Sequence, residues 1–329
     1  MHNARLRSRL FQVAAGIAAV SPLVVLIFVG FVLFNDAWPA FKYQGLSFFT
    51  GITWNMGNMY ANAPVVHNGV QAAPGATFGI LPFIVGTLGS SLIAMIIGVP
   101  ISLLSAFALV FKIPPRYAKW ISSAIELLAG IPSVVFGLWG MVVLAPIVVH
   151  QIEPWLSHLG GIFPFFAGSA GSGFGLLTSG LVLAVMIIPI ITATSRDLIA
   201  QVPKLSIEGA QALGMTTYES VRHIALPLVR RGIIGAIILG WGRALGETMA
   251  VLMVSGNATN YLPNNLYSPI STMASTVAAL LDGALNDFTS LSIHALALIA
   301  VTLLIITMIT NLLARLLVQL GRRDVGTEA

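Results

Sequence analysis

The sequence predicts an all-α, polytopic membrane protein with six transmembrane helices. Three observations carry that prediction. Charged residues make up only 8% of the 329 residues, while hydrophobic types make up 57%. Uncharged runs long enough to cross a bilayer recur six times. Lysine and arginine gather on alternate connections between those runs. Soluble chains carry about 25% charge, so 16 Lys/Arg and 11 Asp/Glu are too few to clothe a soluble domain of this length. A soluble enzyme is thereby excluded. Disorder is excluded as well, since it needs low hydrophobicity and the mean hydropathy is +0.92. With no cysteine there is neither a disulfide framework nor a thiolate metal site.

A membrane helix needs about 20 mostly apolar residues. The first span is Phe11–Phe34, inside the uncharged stretch between Arg9 and Asp36. It follows Arg5, Arg7 and Arg9 as a signal peptide would. Its apolar run is too long for one, however, and no small-residue cleavage site follows at Asn35–Trp38. The second span, Phe78–Phe111, ends the charge-free stretch from Lys42 to Lys112. The third is Ile121–Val149 and the fourth Phe174–Thr194. Gly232–Ser255 is the fifth, apolar except for Arg243 and Glu247. Leu291–Leu313 is the sixth. Helices follow because only a helix or a closed barrel satisfies its backbone in lipid, and the alternating ten-residue segments of a barrel are absent.

Placing the N-terminus in the cytoplasm puts the C-terminus there too. Cytoplasmic segments then hold Arg5, Arg7, Arg9, Lys112, Arg116, Lys119, Arg196, Lys204, Arg222, Arg230, Arg231, Arg315, Arg322 and Arg323, which are 14 of the 16 cations. Such a bias fixes topology. It also accounts for the net charge of +5 without nucleic acid.

The outer segments are then 36–77, 150–173 and 256–290. The first holds Trp38, Phe41, Tyr43, Phe48, Phe49, Trp54 and Tyr60, which read either as an interfacial aromatic belt or as a docking surface. The glycines between Gly160 and Gly175 mark a flexible loop. No G-x-x-x-x-G-K-[ST], HExxH or GxSxG occurs, so no Walker-type ATP site is present. The six histidines are scattered without ligand spacing.

Residues 196–231 form the longest cytoplasmic connection, bracketed by Pro203 and Pro227. Two short helices are expected in it. One runs from Ser206 to Leu213 and stops at Gly214, a suitable C′ residue. The next starts at a T-x-x-E capping box, with Thr216 as N-cap and Glu219 at N3. Gly209, Ala210 and Ala212 keep the first helix slim. An ordinary membrane-surface loop is the plainer reading of the same stretch.

The spacing Glu208-x-Ala210, three residues, Gly214, nine residues, Ile224-x-Leu226-Pro227 resembles the EAA loop of ABC importer permeases. Gly209 departs from it, standing where the family usually has alanine. Glycine there weakens the helix by about 1 kcal/mol at most. The stretches from Ala129 to Gly140 (AGIPSVVFGLWG) and from Leu239 to Val251 (LGWGRALGETMAV) are similar to phosphate importer permeases. The GLWG ending and the long first outer loop are more similar to the PstC-type subunit than to the PstA-type.

The resemblance implies a type I ABC importer permease fold in a bacterial inner membrane. It divides the chain into a first helix and outer loop (1–77), a five-helix core (78–315) with its coupling loop at 197–231, and a cytoplasmic tail (316–329). It implies a non-catalytic subunit without cofactor, paired with a PstA-type permease, a PstB-type ATPase dimer and a PstS-type phosphate-binding protein. Glu208, Gly209, Ala210, Gly214, Ile224, Leu226 and Pro227 would couple it to the ATPase.

Arg243 and Glu247 are four apart, so one helix would put them on one face. Mid-span charge is costly unless paired or wet. Either the two form a neutral pair that locks helices, or Arg243 meets substrate oxygens and Glu247 orients it. Gly235, Gly240, Gly242 and Gly246 would permit close helix approach. Pro132 is expected to kink the third span, which leaves Ser133 able to offer its hydroxyl to an anion. Glu126 reads as interfacial, or as a contact to a neighbouring cytoplasmic loop. The rival functions are a same-architecture permease for molybdate, tungstate or sulfate, a secondary transporter or channel, and a membrane-embedded enzyme. The last would need a cluster of catalytic groups that the sequence does not offer.

Overall fold

The computed structural model describes residues 2–320 apart from Asn62 and Ala170, with side chains over 11–316. Arg322 and Arg323, in the expected tail, lie outside the described residues, as do the side chains of Arg5, Arg7 and Arg9. Among the described residues six helices are long and apolar enough to cross a membrane. The chain is a polytopic helical protein with very little sheet.

α1 (His2–Gln44) continues through Pro22 and Pro39, well past the expected end at Phe34. Four short strands follow. β1 (Trp54–Asn55) pairs antiparallel with β4 (Thr77–Phe78). β2 (Val65–His67) pairs antiparallel with β3 (Val70–Ala72). The second ribbon turns through Asn68 and Gly69, at φ 53° and 74°, the positive-φ pair that suits a two-residue hairpin.

This ribbon end has a core of its own. Phe48, Trp54, Phe78 and Phe83 are buried in it, with Trp54 and Phe78 edge-on at 5.0 Å between ring centroids. Of the aromatic residues read as a belt or a docking surface, Phe48 and Trp54 are therefore buried, while Trp38 and Tyr60 stay exposed. A segment this long outside the bundle buries its rings because doing so removes apolar area from water.

α2 (Leu81–Phe111) begins at Leu81 instead of Phe78, because Phe78 is held in the ribbon. It packs parallel to α5 (Leu176–Ala200). Gly98 lies against Ile187, and Ala106 clusters with Ile199, so both helices run away from the ribbon end. α6 (Lys204–Ala212) follows α5 at the opposite end.

The third and fifth spans are each broken: the third at the bend expected of Pro132, the fifth where a single helix carrying both Arg243 and Glu247 was expected. α3 (Pro115–Ala129) and α4 (Ser133–Gly161) are separated at Gly130–Pro132. Pro132 sits at φ −58°, ψ 138°. A residue before proline disfavours the α region, so Ile131-Pro132 ends one helix and starts another. In the fifth span, α7 (Thr217–Leu245) stops at Gly246, and α8 (Met249–Val254) starts anew. α9 (Met273–Ala284) and α10 (Leu291–Leu320) complete the chain.

Three π turns, Gly140–Leu144, Val148–Ile152 and Val221–Ala225, each end two residues before a proline. A proline inside a helix lacks an N–H and clashes with the carbonyl four residues back. The wider turn accommodates both. Pro227 consequently does not end the second coupling helix, which runs unbroken into the fifth span as α7.

α10 starts at a well-made cap. Asp287 accepts from the N–H and hydroxyl of Thr289 at 2.9 and 2.7 Å, and from those of Ser292 at 2.9 and 2.7 Å. Burial pushes the Asp287 carboxyl up, but these hydrogen bonds outweigh it and hold the group below its ordinary 3.8. A depressed folded value means stability that is present at neutral pH and lost as pH falls through that value. Asp287→Ala is expected to cost about 2–3 kcal/mol, since bonds to a charged group are each worth roughly 1.5–3 kcal/mol. The wild-type advantage in thermal unfolding begins to fall as pH drops below 3.8 and is lost once pH passes the depressed folded value. A second expectation concerns α6: a Cβ added at Gly209 meets nothing within 4 Å. Gly209→Ala is therefore expected to stabilise the protein by up to about 1 kcal/mol, which thermal melting checks.

Candidate functional site

Two regions carry chemistry, one at each end of α7. The first is the α6 turn. α6 spans Lys204–Ala212, slightly earlier than the expected Ser206–Leu213. It closes in a Schellman motif: the Met215 N–H donates to the Ala210 carbonyl at 3.1 Å and the Gly214 N–H to that of Gln211 at 3.0 Å. Gly214 takes φ +91°, which a side chain rarely adopts. The capping box is complete. The Thr216 N–H donates to Glu219 Oε2 at 2.7 Å, and the Glu219 N–H donates to Thr216 Oγ1 at 3.3 Å.

This handle turns polar and apolar groups outward together. Glu208 and Gly209 are exposed, as is Pro227, whereas Ala210 is buried and Ile224 and Leu226 are half-buried. Leu205 and Leu213 are 84% and 87% exposed, and Tyr218 lies open beside them. Large apolar side chains presented on a capped, rigid turn mark an interaction surface.

The second region surrounds the two breaks. Glu126 on α3 bonds Arg196 on α5 at 2.9 Å, while Phe136 on α4 clusters with Val182 and Met186 of α5. The break at 130–132 thus lies partway along α5. Gly240 of α7 packs on Ile191, where a Cβ would come within 2.5 Å of Cδ1. Val251 of α8 clusters with Leu183 and Ile187, so the break at 246–248 lies at a similar level. The helices that restart there touch: a Cβ on Gly137 would lie 2.8 Å from Met253 Sδ and 3.0 Å from the Ala250 Cα.

Arg243 sits on the last turn of α7. It lines an open cavity of about 810 Å³ between α5, α7 and α10, together with Ile190, Gly235, Gly242, Asn311 and Arg315. Because α7 ends at Leu245, Glu247 is not on its helix. Arg243 and Glu247 therefore do not share a face as expected. Among the described residues the ion pairs within 4 Å belong to Arg196, with Glu126 and Asp197. Glu247 instead turns to α8, where its Oε1 accepts the Ala250 N–H at 3.4 Å.

Ser133 is half-buried at the first position of α4. Neither it nor Glu247 is among the residues lining the cavity of Arg243. Of the four glycines expected to bring helices together, Gly240 does so. Gly235 faces open space, Gly242 comes no nearer than 3.9 Å to Asn311, and Gly246 meets only its own helix backbone. Glu126 reaches out from its helix, and its partner Arg196 lies on α5 instead of on a loop. Sequence reasoning missed Asn311 and treated Arg315 as a topological charge. The available signal was an amide and a cation one turn apart on a helix otherwise apolar over Leu291–Leu313.

The profile of the family described as "Binding-protein-dependent transport system inner membrane component" matches residues 98–323. The chain is 48% identical over 307 residues to "Phosphate transport system permease protein PstC 1" of Mycobacterium bovis, covering 92% of this chain and 90% of that one. It is 38% identical over 321 residues to "Phosphate transport system permease protein PstC" of Haemophilus influenzae, covering 96% and 95%. The fold is similar to that of a solved bacterial alginate ABC transporter in complex with an alginate pentasaccharide-bound periplasmic protein. The TM-score is 0.54 at 15% identity, covering 95% of this chain and 98% of that one. The chain thus belongs to the family of binding-protein-dependent transport system inner membrane components.

Proposed function

We propose that this chain is a permease subunit of an ATP-driven importer of inorganic phosphate. Its relatives carry that substrate in their names. The observation that carries the reading is Arg243, an intramembrane guanidinium open to a cavity in which no carboxylate lines the wall. A guanidinium fork matches the oxygens of a tetrahedral oxyanion. Charge at that depth is tolerated where it faces water or a counter-ion. In this reading Arg243 meets the passing anion. Glu247, four residues on and turned to the first turn of α8, would limit how tightly the anion is held. Ser133, at the start of α4, offers a hydroxyl in a second conformation of the broken helices. A pore site must release what it binds.

The partners in this reading are a PstA-type permease completing the pathway, a PstB-type ATPase dimer under the α6 handle, and a PstS-type binding protein at the ribbon end. Both termini are cytoplasmic, in keeping with the cation bias. Residues 1–77 form an appended helix and outer segment, 78–315 the permease core, and 316–329 a tail. The chain itself hydrolyses nothing; it transmits ATPase closure through α6 to α7. Such coupling requires two sites and two global states, each with its own contacts. The direct test is co-purification with the ATPase, followed by phosphate-stimulated ATP hydrolysis in proteoliposomes. Failure of any anion to stimulate hydrolysis rejects the reading, and stimulation by sulfate or molybdate alone replaces the substrate.

Two variants probe the two ends of α7. Arg243→Gln assembles normally and lowers phosphate uptake roughly tenfold to hundredfold, the value of one or two hydrogen bonds to a charge. Native-rate uptake by the assembled variant would remove Arg243 from the pathway. Glu208→Lys and Gly214→Val keep ATP hydrolysis but uncouple it from uptake. The second does so because φ +91° is unfavourable for a β-branched residue. Unimpaired uptake in both variants would falsify the coupling role of α6.

A further inference from the structure

The cavity wall opposite Arg243 carries a second cation. Arg315 on α10 lines the same space, one helical turn beyond Asn311. Asn311 stands at the crossing of α10 with α7, where a Cβ on Gly242 would lie 3.9 Å from its Oδ1. Ala314, next to Arg315, is buried, which anchors this stretch of α10 in the bundle. Among the described residues, neither the Arg243 nor the Arg315 guanidinium has a carboxylate within 4 Å.

The cavity is longer than one anion. From Gly235 to Arg243, α7 rises about 12 Å at 1.5 Å per residue. Gly235 leaves the wall open, since a Cβ there meets nothing within 4 Å. α10 runs opposite to α7 here, so Arg315 lies beyond Asn311 on the side of the α6 handle. Among the described residues neither guanidinium has an ion-pair partner, so two cations along one open cavity repel each other and attract anions. Each lowers the cost of an anion leaving the other.

We infer that Asn311 and Arg315 form a second oxyanion station, which receives the phosphate released by Arg243 on its way toward the α6 end. The inference rests on the reading of Arg243 as a pathway residue. Arg315 supplies charge and a planar fork, and the Asn311 amide supplies one further donor. The competing occupant is a net-anionic lipid headgroup, reached by an arginine that snorkels to the interface.

The test uses the assembled transporter in proteoliposomes with the loaded binding protein, measuring phosphate uptake and ATP hydrolysis together. The variants are Arg315→Gln, Arg315→Lys, Asn311→Ala and, in parallel, Arg243→Gln. Arg315→Gln is expected to lower uptake per ATP hydrolysed roughly tenfold, about one charge-assisted hydrogen bond. Arg315→Lys recovers most of that loss. Asn311→Ala, which leaves every charge in place, lowers uptake about threefold by removing one neutral hydrogen bond. The deficits are the same in vesicles of phosphatidylcholine and of phosphatidylglycerol. Native uptake in Arg315→Gln overturns the inference, as does a deficit confined to phosphatidylglycerol vesicles, which assigns Arg315 to a headgroup. If Arg315→Gln does not assemble, native uptake by assembled Asn311→Ala overturns it instead. A normal Arg243→Gln beside an impaired Arg315→Gln removes the Arg243 reading and with it the transfer from Arg243, leaving Arg315 as a pathway residue in its own right. The reverse pattern removes the station alone.

Discussion

A backbone inside hydrocarbon must satisfy its own polar groups, because no water is there to do so. That constraint makes the two helix breaks of this protein its defining features. The ladder is interrupted at Gly130–Pro132 and at Gly246–Thr248, both at the middle levels of α5. Irregular backbone at such depth survives where it is covered by protein or lines a wet cavity. Here the first condition is met: α4 and α8 restart against each other, while the cavity lined by Arg243 lies one turn before the second break. The positions of Glu247 and Arg243 follow from the second break. One turns to cap the new helix and the other is left to the cavity.

The rest of the bundle is arranged to hold those breaks in place. α2 and α5 run parallel and share a long seam of small residues. Arg196 pins α3 to α5 through Glu126. At the far end the ribbons and buried rings form a compact cap. This cap ties distant segments together, as where the Trp54 N–H donates to Asn260 Oδ1 at 2.6 Å. The protein therefore has a packed frame at the ribbon end and irregular backbone in the middle. Its apolar handle lies at the other end.

Much of this was legible in the sequence, and what was legible was local. Six spans follow from composition and charge gaps. The Schellman turn at Gly214 and the Thr216/Glu219 box are written within a few residues, and both appear as read. The Asn68-Gly69 hairpin is equally local, but a hydropathy reading passes over it. The break at Ile131-Pro132 carries a chemical mark and was placed correctly as a bend, though not as a full interruption. The break at Gly246–Thr248 carries no proline and sits in an apolar run, so periodicity extends one helix across it. Pro227 misled in the opposite sense, because a π turn absorbs a proline that ordinarily stops a helix. The grouping of Arg243 with Asn311 and Arg315 joins residues some seventy positions apart. It depends on which faces α7 and α10 turn to each other, which no single-helix pattern contains.

One consequence follows from α7 being unbroken between Thr217 and Leu245. It is a strut about 43 Å long at 1.5 Å per residue, with the handle at one tip and Arg243 at the other. Tilting such a strut by about 5° about one tip carries the other by roughly 4 Å, from its length. That displacement exceeds the difference between a direct contact to an anion oxygen and one bridged by solvent. The π turn at Val221–Ala225 interrupts the α-type ladder near the handle end, so the strut's stiffness there would set how much of any displacement of α6 reaches Arg243.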